Sequence, residues 1–260
     1  MKASANTTII RNKAKTALAG YYYPVILAVL FSAMVSLLVN RFAYALISRM
    51  ATVGGGSAKG VYAIVLYYLI PFATSILLNV MQVGICFFYL NLTTSNPIFT
   101  FQLLYGYTHM FEKSIKLSAI MTTISFVCTL PINIVLDLAE VYYESYHLAY
   151  LLLPGVLVLL LLQVVFWIVY IYVSLNLSQV FYLMLDYPDM PVRDVLKTSV
   201  KIMKGKKLQL FHLQLSFLPL YLLIVLTFGV GLFWLIPYKN TAYTLYYLDL
   251  MKPTDPTYQP

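Results

Sequence analysis

The sequence predicts an all-α protein, a polytopic transmembrane helical bundle of about six helices with interfacial amphipathic helices. Hydrophobic residues make up 61% of the 260 residues and charged residues only 10%, whereas a soluble domain carries about 25% charged residues. The hydrophobic residues form long runs, near or above the roughly 20 residues that a helix needs to cross a bilayer. The basic residues gather in segments between alternate runs, as on a cytoplasmic membrane face.

Three parts of the chain are distinguished: a cytoplasmic N-terminal interfacial segment (1–20), a membrane helical bundle (21–250) and a cytoplasmic tail (251–260). A short helix is predicted from Thr8 to Ala19, with apolar and basic residues on different faces. The apolar residues are Ile9, Ile10, Ala14 and Leu18, and the basic residues are Arg11, Lys13 and Lys15. This helix is expected to lie on anionic headgroups, and the proline-containing tail is expected to be disordered.

The first two apolar runs, Tyr21 to Val39 and Val61 to Leu90, are predicted membrane helices. The first could instead be a cleaved signal peptide, because Ala43-Tyr44-Ala45 resembles a cleavage site. A retained helix is favoured, since the run exceeds the about 7–15 residues of a signal-peptide core. Pro71 is expected to kink the second helix, and Gly54 to Gly56 are expected to form the loop between the two.

The middle of the chain contains one mixed segment and two further apolar runs. Polar residues interrupt the segment from Ile98 to Glu112, which favours a helix lying on the surface over a membrane span. The third run extends from Leu117 to Leu138 and contains Pro131 in its second half. The fourth extends from Leu151 to Val173, and its helix can continue to Leu185.

An amphipathic helix from Pro191 to Lys204 is predicted before the last two membrane helices. Four basic residues share one of its faces: Arg193, Lys197, Lys201 and Lys204. Their spacings of three and four make them neighbours on a helix. A fifth helix is predicted from near Leu208 to near Phe228 and a sixth from about Leu232 to Leu250. The sixth contains Pro237, Lys239 and Asn240, so it is either buried against the other helices or partly in the interface. Gly229 and Gly231 form the expected hinge between them, because glycine tolerates backbone angles that other residues resist.

The distribution of Lys and Arg predicts that both termini are cytoplasmic. With six crossings, one side of the membrane receives the basic N-terminal segment, Lys113, Lys116, the amphipathic helix and Lys252. The other side receives an acidic stretch and three basic residues, Arg41, Arg49 and Lys59. The expected location is therefore the cytoplasmic membrane, which the chain crosses several times.

A series of short motifs in the second half of the chain resembles a known family. The motifs are Ser174 to Pro188, Ser199 to Gly205, Leu215 to Phe217, Thr227 to Gly231, Trp234 to Tyr238 and Tyr246 to Leu250. In this order, over roughly Gly106 to Leu250, they resemble the bacterial integral-membrane family catalogued as domain of unknown function nine hundred and seventy-five. That family is distantly similar to the membrane domain of some glycerophosphodiester phosphodiesterases. The resemblance implies a helical bundle in the inner membrane and implies no reaction.

Several polar residues fall inside the predicted membrane helices: Asn79, Gln82, Gln163, His212, Gln214 and Lys239. Such side chains usually face the bundle interior, because an unsatisfied polar group in lipid costs several kcal/mol. They could line a polar path for a substrate, or they could form hydrogen bonds between helices. Hydrogen bonding is favoured, because none of them is acidic. Lys239 could bind an anionic group, but extension of its ammonium group to the outer interface is favoured.

The basic residues around the amphipathic helix are candidate contacts for lipid headgroups: Arg193, Lys197, Lys201, Lys204, Lys206 and Lys207. Anionic membrane lipids are the expected partners, because Lys and Arg near a membrane surface are attracted to such headgroups. The alternative is that these residues only set topology during insertion. A membrane-protein partner is also considered. Nucleic acid is not expected, since no basic domain is large enough to form a footprint.

No residue pattern in the sequence predicts catalysis, a metal site or a cofactor. The three histidines are not spaced as metal ligands. Cys86 and Cys128 lie within apolar runs and are expected to behave as small apolar residues. No phosphate-binding loop or serine elbow is present.

We therefore expect a non-enzymatic membrane protein that binds lipid or a partner protein. A small transporter or transporter subunit is the alternative, and a membrane-embedded lipid-modifying enzyme is the second alternative. A polar cavity at mid-membrane depth would favour transport, whereas a dry, tightly packed bundle would favour a scaffold.

Overall fold

The computed structural model describes residues 2–53, 61–144 and 149–252, and these residues form a helical bundle without strands. The α-helices are α1 (Lys2–Leu18), α2 (Tyr22–Val53), α3 (Val61–Thr93), α4 (Tyr105–Thr108), α5 (Phe111–Glu144), α6 (Ala149–Leu177), α7 (Val180–Asp186), α8 (Val192–Ile202), α9 (Lys207–Leu215), α10 (Leu218–Leu226) and α11 (Leu232–Met251). A 3₁₀ helix, Thr100–Leu104, precedes α4. The predicted all-α class is confirmed. The Gly54 to Gly56 loop and the tail beyond residue 252 lie outside the described residues.

Five stretches of the described chain are long and apolar enough to cross a membrane. They are Tyr22–Arg49, Tyr67–Thr93, Phe111–Val135, Leu157–Asp186 and Lys207–Leu226. These stretches correspond to the first five predicted membrane helices. The sixth predicted helix is present as α11 but is not among them. Half of its 20 residues are buried, so α11 is largely an interior helix of the bundle.

The last two predicted membrane helices form an antiparallel hairpin. The Tyr246 hydroxyl, near the end of α11, donates to the Lys206 carbonyl before α9 at 2.9 Å. The Lys239 ammonium donates to Tyr221 Oη of α10 at 3.2 Å. Between α10 and α11 the chain turns at Gly229. The end of α11 therefore returns to the level at which α9 begins.

Contacts between distant segments bring basic residues together at one end of the bundle, called the basic end below. Lys13 of α1 and Lys252 line one small cavity together with Thr93 at the end of α3. Lys113, at the start of α5, donates a hydrogen bond to the Pro188 carbonyl just before α8. The basic end thus comprises α1, the starts of α5 and α9, α8 and the end of α11.

Most of the apolar face of α1 is covered by protein. Ile10 and Ala14 are buried against α9 and α11. Leu18 is buried against the start of α2 and the end of α3. Ile9 is 51% exposed. Three of the four apolar residues expected on the membrane surface therefore contact other helices, because the bundle supplies a closer apolar surface than lipid.

The segment from Ile98 to Glu112 is not a single helix, contrary to the prediction. It forms the 3₁₀ helix and α4, and its last two residues belong to α5. Leu103 is buried against α3, where a Cβ on Gly84 would lie 1.9 Å from the Leu103 carbonyl oxygen. Phe99 and Phe101 are exposed. The segment therefore packs as two short turns on α3, and this close backbone approach depends on a glycine.

Two helices are divided in the structure: the fourth beyond Val173, where its continuation to Leu185 was left open, and the fifth, which was predicted to be continuous. The fourth is divided into α6 and α7, next to Asn176, whose carbonyl accepts a hydrogen bond from Ser199 Oγ of α8 at 2.7 Å. The fifth is divided into α9 and α10 at Ser216 and Phe217. Pro219 follows this second break, and a proline cannot donate to the carbonyl four residues earlier.

Large apolar side chains remain exposed along α6 and α10. Trp167 and Ile168 of α6 are 62% and 63% exposed, and Leu226 of α10 is 78% exposed. A continuous apolar surface of this kind is unfavourable in water. It is the expected outer surface of a bundle whose solvent is lipid.

Candidate functional site

A groove at the basic end runs between α6 and α8 and has a volume of about 540 Å³. We call it the lysine groove. It is lined by Lys197, Lys201, Lys204, Lys207, Tyr172, Val173, Asn176, Leu177 and Val200. Its α6 wall belongs to the candidate membrane span Leu157–Asp186. The lysine groove therefore lies where the basic end meets a helix that can face lipid.

The amphipathic sequence of α8 explains how the lysine groove forms. Val195 and Ser199 of α8 are buried, and Met203 directly after it is also buried. Ser199 Oγ donates to the Asn176 carbonyl at 2.7 Å and fixes α8 against the end of α6. Because residues three or four apart share one helix face, the lysines of α8 project together from another side.

The positive charge of the lysine groove is only partly compensated. Lys207 Nζ donates to Tyr172 Oη at 3.0 Å and lies 4.1 Å from the centre of its ring, a favourable cation–π distance. Lys197 Nζ is 3.9 Å from the Asp194 carboxylate, and both side chains are exposed. Exposed ion pairs of this kind contribute little. The lysine groove thus keeps an excess of cations at its surface.

Two members of the predicted headgroup cluster lie outside the lysine groove. Arg193 is exposed one turn before Lys197, and Lys206 is exposed just before α9. The Lys206 carbonyl accepts the Tyr246 hydroxyl, so its backbone joins α9 to α11. The structure therefore separates the six basic candidates into four that converge and two that do not.

A second cavity, with a volume of about 480 Å³, lies between α2, α3 and α5 in the membrane-spanning part of the bundle. We call it the polar cavity. Asn79 of α3 lies in its wall and donates from Nδ2 to Thr122 Oγ1 of α5 at 2.8 Å. Of the six polar residues singled out in the predicted membrane helices, Asn79 is the one that lines this cavity.

A polar face of α5 was not predicted from the sequence. Its residues recur every three or four positions: Ser114, Ser118, Thr122, Ser125, Thr129 and Asn133. The last four line the polar cavity. Within the described chain, the buried hydroxyls of Ser114 and Ser118 have no hydrogen-bond partner. The helical spacing was visible in the sequence, but Ser and Thr in membrane helices commonly bond to their own backbone, which made the pattern uninformative by itself.

Gln163 completes the backbone hydrogen bonding of α5 near Pro131. Its Oε1 accepts from the Ile132 N–H at 2.9 Å, and its Nε2 donates to the Cys128 carbonyl at 3.3 Å. In a regular helix these two backbone groups would bond to each other. The buried amide of α6 is inserted between them where the proline opens the helix. Gln163 therefore forms hydrogen bonds between helices, as the favoured interpretation expected.

Three other polar candidates do not line the polar cavity with Asn79. Gln82 and His212 are exposed, and Gln214 is half-buried. The expectation that they face the interior is wrong for Gln82 and His212. Their helices have apolar residues on every side, so the pattern of the sequence did not distinguish an inner from an outer face.

Lys239 is half-buried and contacts tyrosines of both helices of the α10–α11 hairpin. Its ammonium donates to Tyr221 Oη and lies 5.9 Å from the ring centres of both Tyr221 and Tyr243. Contacts of a cation with two aromatic rings stabilise its charge without a carboxylate. This surrounding accounts for a charged residue in an apolar hairpin.

The two predicted hinge glycines have different conformations. Gly229 has a φ of +89°, in the left-handed region that favours glycine. Gly231 stands at the start of α11 with a φ of −58°, and its N–H donates to Thr227 Oγ1 at 3.1 Å. The turn therefore requires the conformational freedom of Gly229 and not that of Gly231.

In the part of the chain that the structure describes, no group of three or more His, Cys, Asp or Glu residues could hold a metal ion. Cys86 and Cys128 are buried free thiols. His109 stacks on Tyr105 with 4.7 Å between ring centres. The two cysteines are thus buried, and His109 contacts an aromatic ring.

The helical bundle, its candidate spans and its exposed apolar helices define the class of the protein, a polytopic integral membrane protein. Residues 1–253 match the family described as Protein of unknown function (DUF975). The chain belongs to this family, and the match extends through the N-terminal half, beyond the motifs of the second half. No curated protein and no solved structure matches the chain.

Proposed function

We propose that the protein is a non-enzymatic membrane protein that binds anionic lipid headgroups in the lysine groove. The observation that supports this proposal most strongly is the convergence of four lysines of α8, α9 and their connection on the end of a candidate membrane span. A phosphate group would find several ammonium donors there without displacing a buried residue.

The lysine groove combines two kinds of surface. Four ammonium groups attract an anionic headgroup, each by about 1 kcal/mol near a membrane surface. Asp194 and the engagement of Lys207 with Tyr172 reduce this attraction. Val173, Leu177 and Val200 supply an apolar wall beside the charges. An anionic lipid, with a charged head and acyl chains, matches both surfaces.

The proposal includes a location and an orientation. The basic end would face the cytoplasm of a bacterial cell, with both termini on that side of the inner membrane, because basic segments are retained there. Similarity to the membrane domain of some glycerophosphodiester phosphodiesterases belongs to the same proposal, since it associates the bundle with lipid. A membrane-protein partner would bind the exposed apolar helices rather than the lysine groove.

Replacement of Lys197, Lys201, Lys204 and Lys207 with Gln should weaken retention of anionic lipid by about tenfold or more, because each lysine near an anionic surface contributes about 1 kcal/mol. Native mass spectrometry of the purified protein, loaded with phosphatidylglycerol, measures this retention. Retention by the parent should also fall between about 0.1 M and about 1 M salt, where the Debye length falls from about 10 Å to about 3 Å.

A matched control variant carries the same four charge changes outside the lysine groove, at Lys15, Lys116, Arg193 and Lys206, all of them exposed. It should retain phosphatidylglycerol like the parent. If the groove variant keeps as much lipid as the control, the lysines serve only as a topology signal and the proposed function is rejected.

A small transporter is the second candidate function, because the polar cavity supplies the intramembrane cavity that this function needs. Flux of a neutral solute such as glucose into proteoliposomes tests it. Uptake above that of protein-free vesicles would support transport, and equal uptake would count against it.

A further inference from the structure

The polar cavity lies in the half of the bundle away from the basic end. Tyr44 and Tyr67 line it. Tyr44 lies in the second half of α2, and Tyr67 lies near the start of α3. By contrast, the end of α3 lies beside Lys252 at the basic end. Its volume of about 480 Å³ falls within the range of about 300–1,000 Å³ that is usual for small-molecule sites.

Among the described residues that line the polar cavity, none is charged. It offers hydroxyl and amide groups from Ser75, Asn79, Thr122, Ser125, Thr129 and Asn133. An ion in this cavity would lack a counter-charge, which is costly at membrane depth. A purely apolar occupant would leave the polar groups without partners, which is also costly there. The lining therefore favours a neutral group that both donates and accepts hydrogen bonds.

Several polar groups of the wall are available to such an occupant. Asn79 uses its amide Nδ2 toward Thr122 and retains its Oδ1 acceptor. Among the described residues, none forms a hydrogen bond with the side chain of Ser75, Ser125 or Asn133, and Ser125 is engaged only through its carbonyl, which accepts from Thr129 Oγ1 at 3.1 Å. Ser75 is exposed, and Ser125 and Asn133 are half-buried, so these groups are accessible from the cavity.

Aromatic rings form the apolar part of the wall. Phe126 packs edge to face against Phe72, with ring centres 5.2 Å apart, and against Tyr68 at 6.3 Å. This interlocked cluster is preorganised and gives a flat apolar surface beside the hydroxyl groups. Tyr44 and Tyr67, 66% and 52% exposed, stand on the outer side of the cavity.

We propose that the polar cavity binds an uncharged, hydroxyl-rich group. The glycosyl head of a neutral lipid and a free polyol are two sources of this chemistry. The proposal names the ligand class of the cavity on which the transport candidate rests, but it requires only binding. Binding without flux would therefore reject transport and leave this proposal intact.

Binding is tested with the full chain in nanodiscs of phosphatidylcholine. A monoglucosyl diacylglycerol is the lipid probe, measured by native mass spectrometry, and tritiated glucose is the free probe, measured by equilibrium binding. Retention of the glycolipid above unglycosylated diacylglycerol would identify a lipid source. Saturable binding of glucose would identify a free polyol.

The double variant Asn79→Leu with Thr122→Val removes both partners of the central hydrogen bond, which leaves neither one unsatisfied. This variant should bind whichever probe the parent binds about fivefold more weakly, the size expected for the loss of one or two intramembrane hydrogen bonds. Ser125→Ala is a milder second variant that should weaken binding in the same direction. Thr123→Val is the matched control, because Thr123 is exposed and its hydroxyl bonds to the Ala119 carbonyl at 2.7 Å.

Thermal unfolding of each variant in the same phosphatidylcholine nanodiscs shows whether the variant is folded. Because these nanodiscs contain no anionic lipid, the result does not depend on the lysine groove. The proposal is overturned if neither probe binds the parent above background. It is also overturned if the folded double variant and the Ser125→Ala variant both bind the probe as tightly as the parent and the Thr123→Val control.

Discussion

At the scale of single residues, the contact of Gln163 with the open backbone of α5 leads to a direct prediction. Gln163→Leu should lower the free energy of unfolding by about 1–2 kcal/mol, because a buried N–H and a buried carbonyl lose their partners in lipid. Equilibrium unfolding in mixed detergent micelles measures the change. Gln82→Leu, the same substitution at an exposed position, is the matched control and should have a smaller effect.

Pro131→Ala in the Gln163→Leu background provides the decisive comparison. With an ordinary residue at position 131 the helix can close its own hydrogen bonds, so Gln163→Leu should then cost little. A cost of Gln163→Leu that is unchanged by Pro131→Ala would show that the glutamine acts through packing instead.

The same residues show what the sequence can and cannot predict about a site. Asn79 and Gln163 were both recognised as polar residues in apolar helices. Asn79 lines a cavity, whereas Gln163 forms hydrogen bonds with the backbone of α5. Their roles depend on which helix lies opposite, and helices that are apolar all round give no hydrophobic periodicity from which to read this. The lysines of α8 were predictable, because that helix alternates strongly between apolar and basic faces.

At the scale of elements, the turn between α10 and α11 separates two glycines by their backbone angles. Gly229→Ala should lower the free energy of unfolding by about 1–2 kcal/mol, since a left-handed angle is strained for an L-residue. Gly231→Ala should cost less, because φ at Gly231 is −58° and the added Cβ would meet Ile224 Cγ1 and Thr227 Oγ1, both at 3.1 Å, which are side-chain atoms. Thermal unfolding in detergent compares the two variants, and equal effects would argue against a strained turn at Gly229.

Helix boundaries were predicted with unequal success for physical reasons. The turn before α11 and the amphipathic α8 follow from local chemistry, namely glycine and a helical charge pattern. The division at Ser216 is explained by Pro219 three residues later, a local signal that is present in the sequence. The division between α6 and α7 accompanies the contact of Asn176 with Ser199 of another helix, which local sequence does not specify.

At the scale of the whole molecule, the positions of the chain ends support an even number of passages through the bundle. Lys13 and Lys252 line the same small cavity, so the two ends of the described chain lie on one side. We expect a cysteine at position 252, in a background with Cys86→Ala and Cys128→Ala, to react from the cytoplasmic side only. A cysteine at position 55 should react from the outside.

Labelling of intact cells with a membrane-impermeant maleimide distinguishes the two positions. Strong labelling of Lys252→Cys in intact cells would contradict cytoplasmic termini.

The architecture itself was largely predictable, because apolar runs and basic connections are global features of the sequence. The interior position of α11 was not, since a helix that carries Tyr, Asn and Lys reads equally as an interfacial or a buried one.

The amide of Gln163 also constrains how the chain enters the membrane. Until α6 is made, the Ile132 N–H and the Cys128 carbonyl of α5 lack the Gln163 amide that bonds both of them in the folded chain. Lipid supplies no hydrogen bonds, so each open group would cost several kcal/mol in the bilayer core. The order of synthesis therefore favours a waiting period in which α5 stays in a hydrated environment until its neighbour arrives. The pair α5–α6 is then the smallest unit of this region that can be released into lipid with its backbone satisfied.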